Sequence, residues 1–218
     1  LLFGAGTPLA KSLLAQASPW LLAALLYLGS GVGLALVRAI THAPRAHLPP
    51  GEAKWLAAAV VCGGVIGPVL LMFGLAGMPA SSASLLLNAE AVFTALIAWI
   101  VFRENVDARI FVGFLCIVAG AVLISWHGAL EWAGWRSSLA VLGACLAWGI
   151  DNNLTRKVSL SDASWIAMVK GLSAGATNLA LALALGAQWP PLPTVVTAGL
   201  VGLASYGASL ALFVIALR

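Results

Sequence analysis

The sequence predicts an all-α polytopic membrane protein. Of its 218 residues, 62% are hydrophobic and only 8% are charged, whereas soluble domains carry about 25% charged residues. The apolar residues form continuous runs of about 20 residues, the length that a helix needs to cross a bilayer. They do not alternate with polar residues as in a membrane β-barrel, so we expect helices to span the membrane.

Eight apolar segments predict about eight transmembrane helices. The first begins at Leu1, already inside an apolar run, so we expect the sequence to be truncated at its start. The fourth helix opens after Pro79 with a serine cluster and closes at a charged turn that includes Arg103 and Asp107. The predicted ranges are 1–14, 19–38, 55–75, 80–102, 109–126, 138–157, 163–186 and 194–217.

The basic residues lie in alternate loops. The loops after the second, fourth and sixth helices carry Arg38, Arg45, Lys54, Arg103, Arg109, Arg156 and Lys157, whereas the loops between them carry only Arg136. By the positive-inside rule, the first group of loops faces the cytoplasm. Tryptophans that fit an aromatic belt at the opposite interface are Trp126, Trp132, Trp135 and Trp189. The net charge of +4 therefore indicates topology and no nucleic-acid partner.

Weak internal repeats predict two units. At one constant spacing, Phe3-Gly4 matches Trp148-Gly149 and Trp20-Leu21 matches Trp165-Ile166. The third helix also matches the eighth, through Gly67 and Gly207 among others. A five-helix unit is odd, so its second copy would insert upside down, which is typical of secondary transporters. We expect a first repeat at 1–127 with a truncated first helix, and a second, inverted repeat at 136–218 that has only its first three helices.

The fourth helix carries one carboxylate, Glu90, near its middle, where an acid is costly and usually functional. A helical wheel places Glu90 with Leu87 and Thr94 on one face. It places Ser84, Asn88, Ala91, Ala95 and Ala98 on a small-residue face for helix packing, and Leu85, Val92, Phe93, Leu96 and Ile100 on a lipid face. We interpret Glu90, Asn88 and Thr94 as substrate-pathway residues, with proton coupling as one role for Glu90. The alternative is a structural acid that pairs with a basic group or bonds the backbone.

Three further polar residues and two lysines complete the candidate pathway. The sixth helix holds Asp151, Asn152, Asn153 and Thr155, which either line a polar pathway or mark the cytoplasmic interface. Lys170 could pair with Asp151 or extend its ammonium group to the membrane interface. Lys11, near the outer end of the first helix, could also extend to the interface. Either lysine could instead attract an anionic substrate group. The candidate pathway residues are Glu90, Asn88, Thr94, Asp151, Asn152, Asn153, Lys11 and Lys170.

No motif indicates catalysis, a cofactor or a metal. Cys62, Cys116 and Cys145 lie singly inside predicted helices, and the three histidines have no partner at metal-ligand spacing. No nucleotide-binding loop, metalloprotease or serine-hydrolase motif is present in the sequence. We therefore predict no catalytic residues, no cofactor and no metal.

The residues of the fourth helix and its flanks resemble a known family. The stretch Gly74–Ser84, followed by Leu87-Asn88-Ala89-Glu90 and by Phe102-Arg103-Glu104, is similar to the EamA-type domain of the drug/metabolite transporter superfamily. The resemblance covers essentially the whole chain. Two departures are Ala91 in place of the family's usual proline and Arg103 in place of a glycine.

The resemblance implies ten helices in two inverted five-helix repeats, a central cavity, and transport of small metabolites. With it, we predict a permease or exporter that moves amino acids or drug-like solutes across a bacterial inner membrane by alternating access. Its partners would be a small-molecule solute, membrane lipid and, as options, a coupling proton and a second copy in a homodimer. The alternatives are an integral-membrane enzyme that acts on lipid-linked substrates, and a non-transporting sensor or assembly partner.

Overall fold

The computed structural model describes residues 2–44, 46–103 and 135–216, together with six single positions. These positions are Arg109, Val112, Gly113, Leu115, Cys116 and Ala119. Most of the predicted fifth helix therefore lies outside the described residues, as do Arg45, Glu104, Asp107, Trp126 and Trp132.

The described residues form seven helices and no strand. The sequence-predicted helices other than the fifth are confirmed, with ends that differ by at most three residues. The helices are α1 (Leu2–Leu13), α2 (Pro19–Ile40), α3 (Ala53–Ala76), α4 (Ala80–Ile100), α5 (Trp135–Arg156), α6 (Ala163–Ala184) and α7 (Leu192–Ala216).

Five of these helices, namely α2, α3, α4, α6 and α7, are long and apolar enough to cross a membrane. The prediction of about eight spans is thus met only in part. The helix α5 has the same 22-residue length as α2, but the polar run Asp151–Asn153 makes it less apolar. The helix α1 has only 12 residues, which is short for a span of about 20.

The helix α4 is interrupted in its middle, where the sequence predicted a continuous helix. Its two parts, Ala80–Leu86 and Ala89–Ile100, are joined by a turn at Leu87 and Asn88. The Asn88 side chain donates to the carbonyl of Leu85 at 3.0 Å, and the Glu90 amide bonds the carbonyl of Leu87 three residues back. Such side-chain bonds compete with the regular helix ladder and tighten the turn. The turn directly precedes Glu90 and sets its position.

Both α3 and α7 contain a seven-residue π-helical segment, Val60–Ile66 in α3 and Gly202–Ala208 in α7. In α3 this segment leads into Pro68, which has no backbone N–H and cannot bond a carbonyl of the preceding turn. The carbonyls of Gly63 and Gly64 in this segment accept from side chains of other helices. Such π-helical segments occur frequently at functional sites.

The helices α2 and α6 cross at the centre of the molecule, where their backbones approach closely. A Cβ added to Gly171 would lie 2.6 Å from the backbone nitrogen of Gly31, and one on Gly175 would lie 2.7 Å from that of Leu28. Without a hydrophobic force between helices in lipid, such small-residue contacts bring helices together. The core around them includes Leu22 and Leu26 of α2, which are fully buried.

The predicted lipid face of α4 was wrong at Phe93, while Leu96 and Ile100 of the same face are exposed. Phe93 was placed on the lipid face of α4, yet it packs against α5, where a Cβ on Gly149 would lie 2.9 Å from the Phe93 Cβ. The predicted packing face, with Ala91, Ala95 and Ala98, instead lines an open groove between α4 and α5. The glycine on the partner helix makes the slot into which α4 packs, and a wheel of α4 alone cannot show a slot on another helix.

Candidate functional site

The polar run of α5 faces the interior of the molecule. Asp151 and Asn153 are each 5% exposed, and Thr155 is fully buried. Asp151 fits because Gly63 of α3 has no side chain: a Cβ on Gly63 would collide with the Asp151 carboxylate. Burial places these three residues inside the bundle, and their position relative to the membrane interface stays a prediction.

Asp151 forms a buried ion pair with Lys170 of α6. The Lys170 Nζ donates to Asp151 Oδ1 and, at 2.9 Å, to the Thr155 hydroxyl. The Thr155 hydroxyl donates to the same Asp151 oxygen at 2.9 Å. Side-chain exposure is 1% for Lys170 and 7% for Asp151, so Lys170 does not extend to the interface. The two opposite charges compensate each other inside the bundle.

Glu90 is held by a neutral partner. The Asn152 side-chain amide donates to Glu90 Oε1 at 2.9 Å and to the Thr94 hydroxyl oxygen at 3.1 Å. Asn153 points to the backbone, where its amide donates to the carbonyls of Thr94 and Gly149. These bonds join α4 to α5 and fix the carboxylate of Glu90 near the middle of α4.

A cavity of about 200 Å³ brings the two charged groups together. Glu90, Asn152, Asp151 and Lys170 all line it. Further polar side chains come from α2 and α7, and aromatic side chains come from α2, α5 and α7. These additional lining residues are Ser30, Ser205, Ser209, Tyr27, Trp148, Tyr206 and Phe213.

The aromatic wall of the cavity depends on the π-helical segment of α3. The Gly63 carbonyl accepts from the Tyr27 hydroxyl at 2.6 Å and from Trp148 Nε1 at 2.9 Å. The rings of Tyr27 and Tyr206 lie 5.2 Å apart between centroids. Sequence reasoning missed these residues, although Pro68 within a predicted span was a signal that a neighbouring carbonyl needs other donors.

Not all of the predicted pathway residues line this cavity. Three of them lie along the α4–α5 groove instead, namely Thr94, Asn153 and Asn88. The groove and the cavity are neighbours, because both are lined by Glu90, Asn152 and Phe213. Lys11 lies elsewhere, since its Nζ donates to the carbonyls of Leu75 and Ala76 at the end of α3. Lysine commonly binds the free carbonyls of a helix end.

A second charged network lies at one end of the bundle, and its carboxylate, Asp162, is outside the spans. Arg38 at the end of α2 donates to Asp162, the residue before α6, at 2.6 Å, and to the Pro44 carbonyl at 2.8 Å. Partial burial alone would raise the pKa of Asp162. Hydrogen bonds from Ser164, the Trp165 amide and Arg38 outweigh it and hold that pKa below its ordinary value.

Metal chemistry has no visible site in the residues that the structure describes. Within them, no group of three histidine, cysteine, aspartate or glutamate side chains is placed to hold an ion.

Comparison with known proteins agrees with this architecture. A curated relative, described as an "Uncharacterized transporter" of Methanothermobacter thermautotrophicus (strain Delta H), is 29% identical over 99% of this chain and 68% of its own length. A solved structure described only as "Crystal structure of protein" matches with a TM-score of 0.76 at 17% identity, over all of this chain and 75% of that one. That likeness concerns the fold alone.

A family comparison is more specific. The model of the "EamA-like transporter family" matches residues 1–126, which is more than half of the 218 residues. The chain is therefore a multi-pass membrane transporter and belongs to the EamA-like transporter family.

Proposed function

We propose that the protein is a secondary transporter of small solutes and that the cavity between α2, α4, α5, α6 and α7 is its solute site. The observation that carries the proposal is a carboxylate, Glu90, and an ion pair, Asp151–Lys170, in one cavity among the membrane-spanning helices. Ionisable groups inside membrane-spanning helices are costly and usually functional. A volume of about 200 Å³ is below the roughly 300–1,000 Å³ of pockets for drug-sized ligands, which favours a small metabolite.

Alternating access between two inverted repeats would open this cavity to each side. Several features support the repeats at 1–127 and 136–218. The helices α2 and α6 both have 22 residues, and both start after a side-chain cap, Ser18 and Asp162. With the two caps aligned, one residue away from the repeat spacing in the sequence, Gly31 corresponds to Gly175 and Leu28 to Leu172. The crossing is then reciprocal, because Gly31 meets Leu172 and Gly175 meets Leu28. Such reciprocity is the mark of a two-fold relation.

The orientation that we propose places the loops after α2, α4 and α5 in the cytoplasm, with a bacterial inner membrane as the location. The ends of these loops meet at one face of the bundle. Arg38 bonds Asp162, and Lys157 lies 5.0 Å from the centre of the Phe102 ring. At the opposite end, the Thr194 hydroxyl donates to Gln16. Arg38 and Lys157 thus lie at one end of the bundle, which supports the orientation that the positive-inside rule predicts.

The test is solute flux into proteoliposomes that contain the purified protein, with a panel of labelled amino acids and small amines. Glu90→Gln should abolish or strongly reduce the flux that the wild type shows, and should remove its dependence on a pH gradient if a proton is coupled. Glu52→Gln, which changes a carboxylate in the loop before α3, is the matched control and should leave flux unchanged. Wild-type flux with unchanged pH dependence in Glu90→Gln would remove Glu90 from the mechanism.

A further inference from the structure

The charge inside the cavity is not balanced. Asp151 and Lys170 compensate each other at hydrogen-bond distance, which leaves the carboxylate of Glu90. Within the described residues, Glu90 accepts from Asn152, a neutral amide, and takes part in no ion pair. Arg156 lines the α4–α5 groove on the far side of Glu90, but no ion pair is seen between these two described residues. Among the described residues, the cavity therefore presents to a solute one carboxylate that no cation pairs with.

Aromatic rings surround the same space. Tyr27, Trp148, Tyr206 and Phe213 line the cavity, and the first three are less than 10% exposed. The Tyr27 hydroxyl and the Trp148 ring nitrogen are both committed to the Gly63 carbonyl, which fixes the orientation of their rings. Aromatic faces within about 6 Å attract cations, and cages of several rings recognise quaternary ammonium groups. Burial strengthens this attraction because water is excluded.

We infer that the transported solute is an organic cation whose ammonium group is bound by the Glu90 carboxylate and the aromatic wall. This inference rests on the proposed function and adds the chemical class of the solute. An anion would meet an uncompensated carboxylate in a low-dielectric space, and a neutral solute would leave that charge unpaired. The serine hydroxyls of Ser30, Ser205 and Ser209 add hydrogen-bonding groups for a hydroxyl or carbonyl on the solute.

The test compares three probes of one shape that differ in charge. Choline is a permanent cation, 3,3-dimethylbutan-1-ol is its neutral isostere, and 3,3-dimethylbutanoate is an anion. Binding to the detergent-purified protein is measured by isothermal titration and by the shift of the thermal unfolding midpoint. We expect choline to bind at least tenfold more tightly than either isostere.

Variants assign the binding to this cavity. Glu90→Gln should weaken choline binding at least tenfold, and Phe213→Leu should weaken it severalfold, whereas Phe213→Tyr keeps the ring and should retain it. Glu52→Gln should bind like the wild type. The thermal midpoint of each unliganded variant shows whether it is folded. Equal binding of choline to wild type and folded Glu90→Gln would overturn the inference.

The outcomes separate the inference from the proposed function. Selective choline binding without flux in proteoliposomes would support an organic cation as the ligand of this cavity and contradict transport. Flux of 3,3-dimethylbutanoate or 3,3-dimethylbutan-1-ol, together with no binding of choline, would overturn the inference and leave transport standing. If zwitterionic amino acids bind but choline does not, the solute class proposed here is wrong.

Discussion

The buried ion pair between Asp151 and Lys170 makes a strong prediction about stability. Lys170→Met removes the ammonium with little change in side-chain length, and leaves Asp151 with only the Thr155 hydroxyl as a donor. Removal of one partner of a buried pair costs about 3–5 kcal/mol, because the other charge stays buried and uncompensated. Because the side chains of Lys170 and Asp151 are only 1% and 7% exposed, this value for buried ion pairs applies rather than the smaller value for solvent-exposed pairs.

A double-mutant cycle measures the interaction itself. Asp151→Asn should also cost about 3–5 kcal/mol, whereas the double variant Asp151→Asn/Lys170→Met removes both charges at once. We expect the double variant to be less destabilised than the sum of the single variants by about 2 kcal/mol, within the usual range for residues in contact.

The assay is reversible unfolding of the purified protein in mixed micelles with increasing SDS, followed by tryptophan fluorescence. Lys54→Met, a change of an exposed lysine in the first turn of α3, is the control and should cost less than about 0.5 kcal/mol. The buried-pair reasoning would be refuted if each single variant lowered the free energy of unfolding by less than about 1 kcal/mol. It would also be refuted if the effects of the two single variants simply added up in the double variant.

Three further predictions use the same unfolding assay. Gly171→Ala should destabilise by about 1–3 kcal/mol, because the new methyl overlaps the facing helix. Gly199→Ala, with nothing within 4 Å of the added carbon, should be neutral or slightly stabilising. Tyr27→Phe should cost about 0.5–1.5 kcal/mol, since Gly63 keeps its bond from Trp148. The lowered pKa of Asp162 in the folded state stabilises the protein above the ordinary aspartate pKa of about 4. That stabilisation should be lost as pH falls further in the wild type and absent from Asp162→Asn at all pH values.

Hydropathy was sufficient to place the helices because the bilayer sets their length and apolar composition. The sequence also placed Glu90 with Thr94 on one face of α4, and both side chains meet Asn152 of α5 in the structure. It offered a pair of Lys170 with Asp151 as one alternative, and the structure contains that pair.

The remaining features depend on contacts between helices that are distant in sequence. The slot for Phe93 is made by Gly149, and the space for Asp151 is made by Gly63. A helical wheel treats one helix alone and cannot show a missing side chain on its neighbour. The aromatic wall was missed for the same reason, since the Tyr27 and Trp148 donors meet one carbonyl from two different helices.

The central claim is that one cavity opens alternately to each side of the membrane, and cysteine labelling tests it most directly. In a protein whose native cysteines are replaced by alanine, Ser209→Cys places a thiol in the cavity. Ala204→Cys places a thiol on the exposed side of the same helix. In the arrangement that we propose, this side faces lipid and an aqueous reagent cannot reach it. An impermeant maleimide should label Ser209→Cys in both right-side-out and inside-out vesicles and should leave Ala204→Cys unlabelled. Labelling of Ser209→Cys from only one side, or from neither, would contradict alternating access.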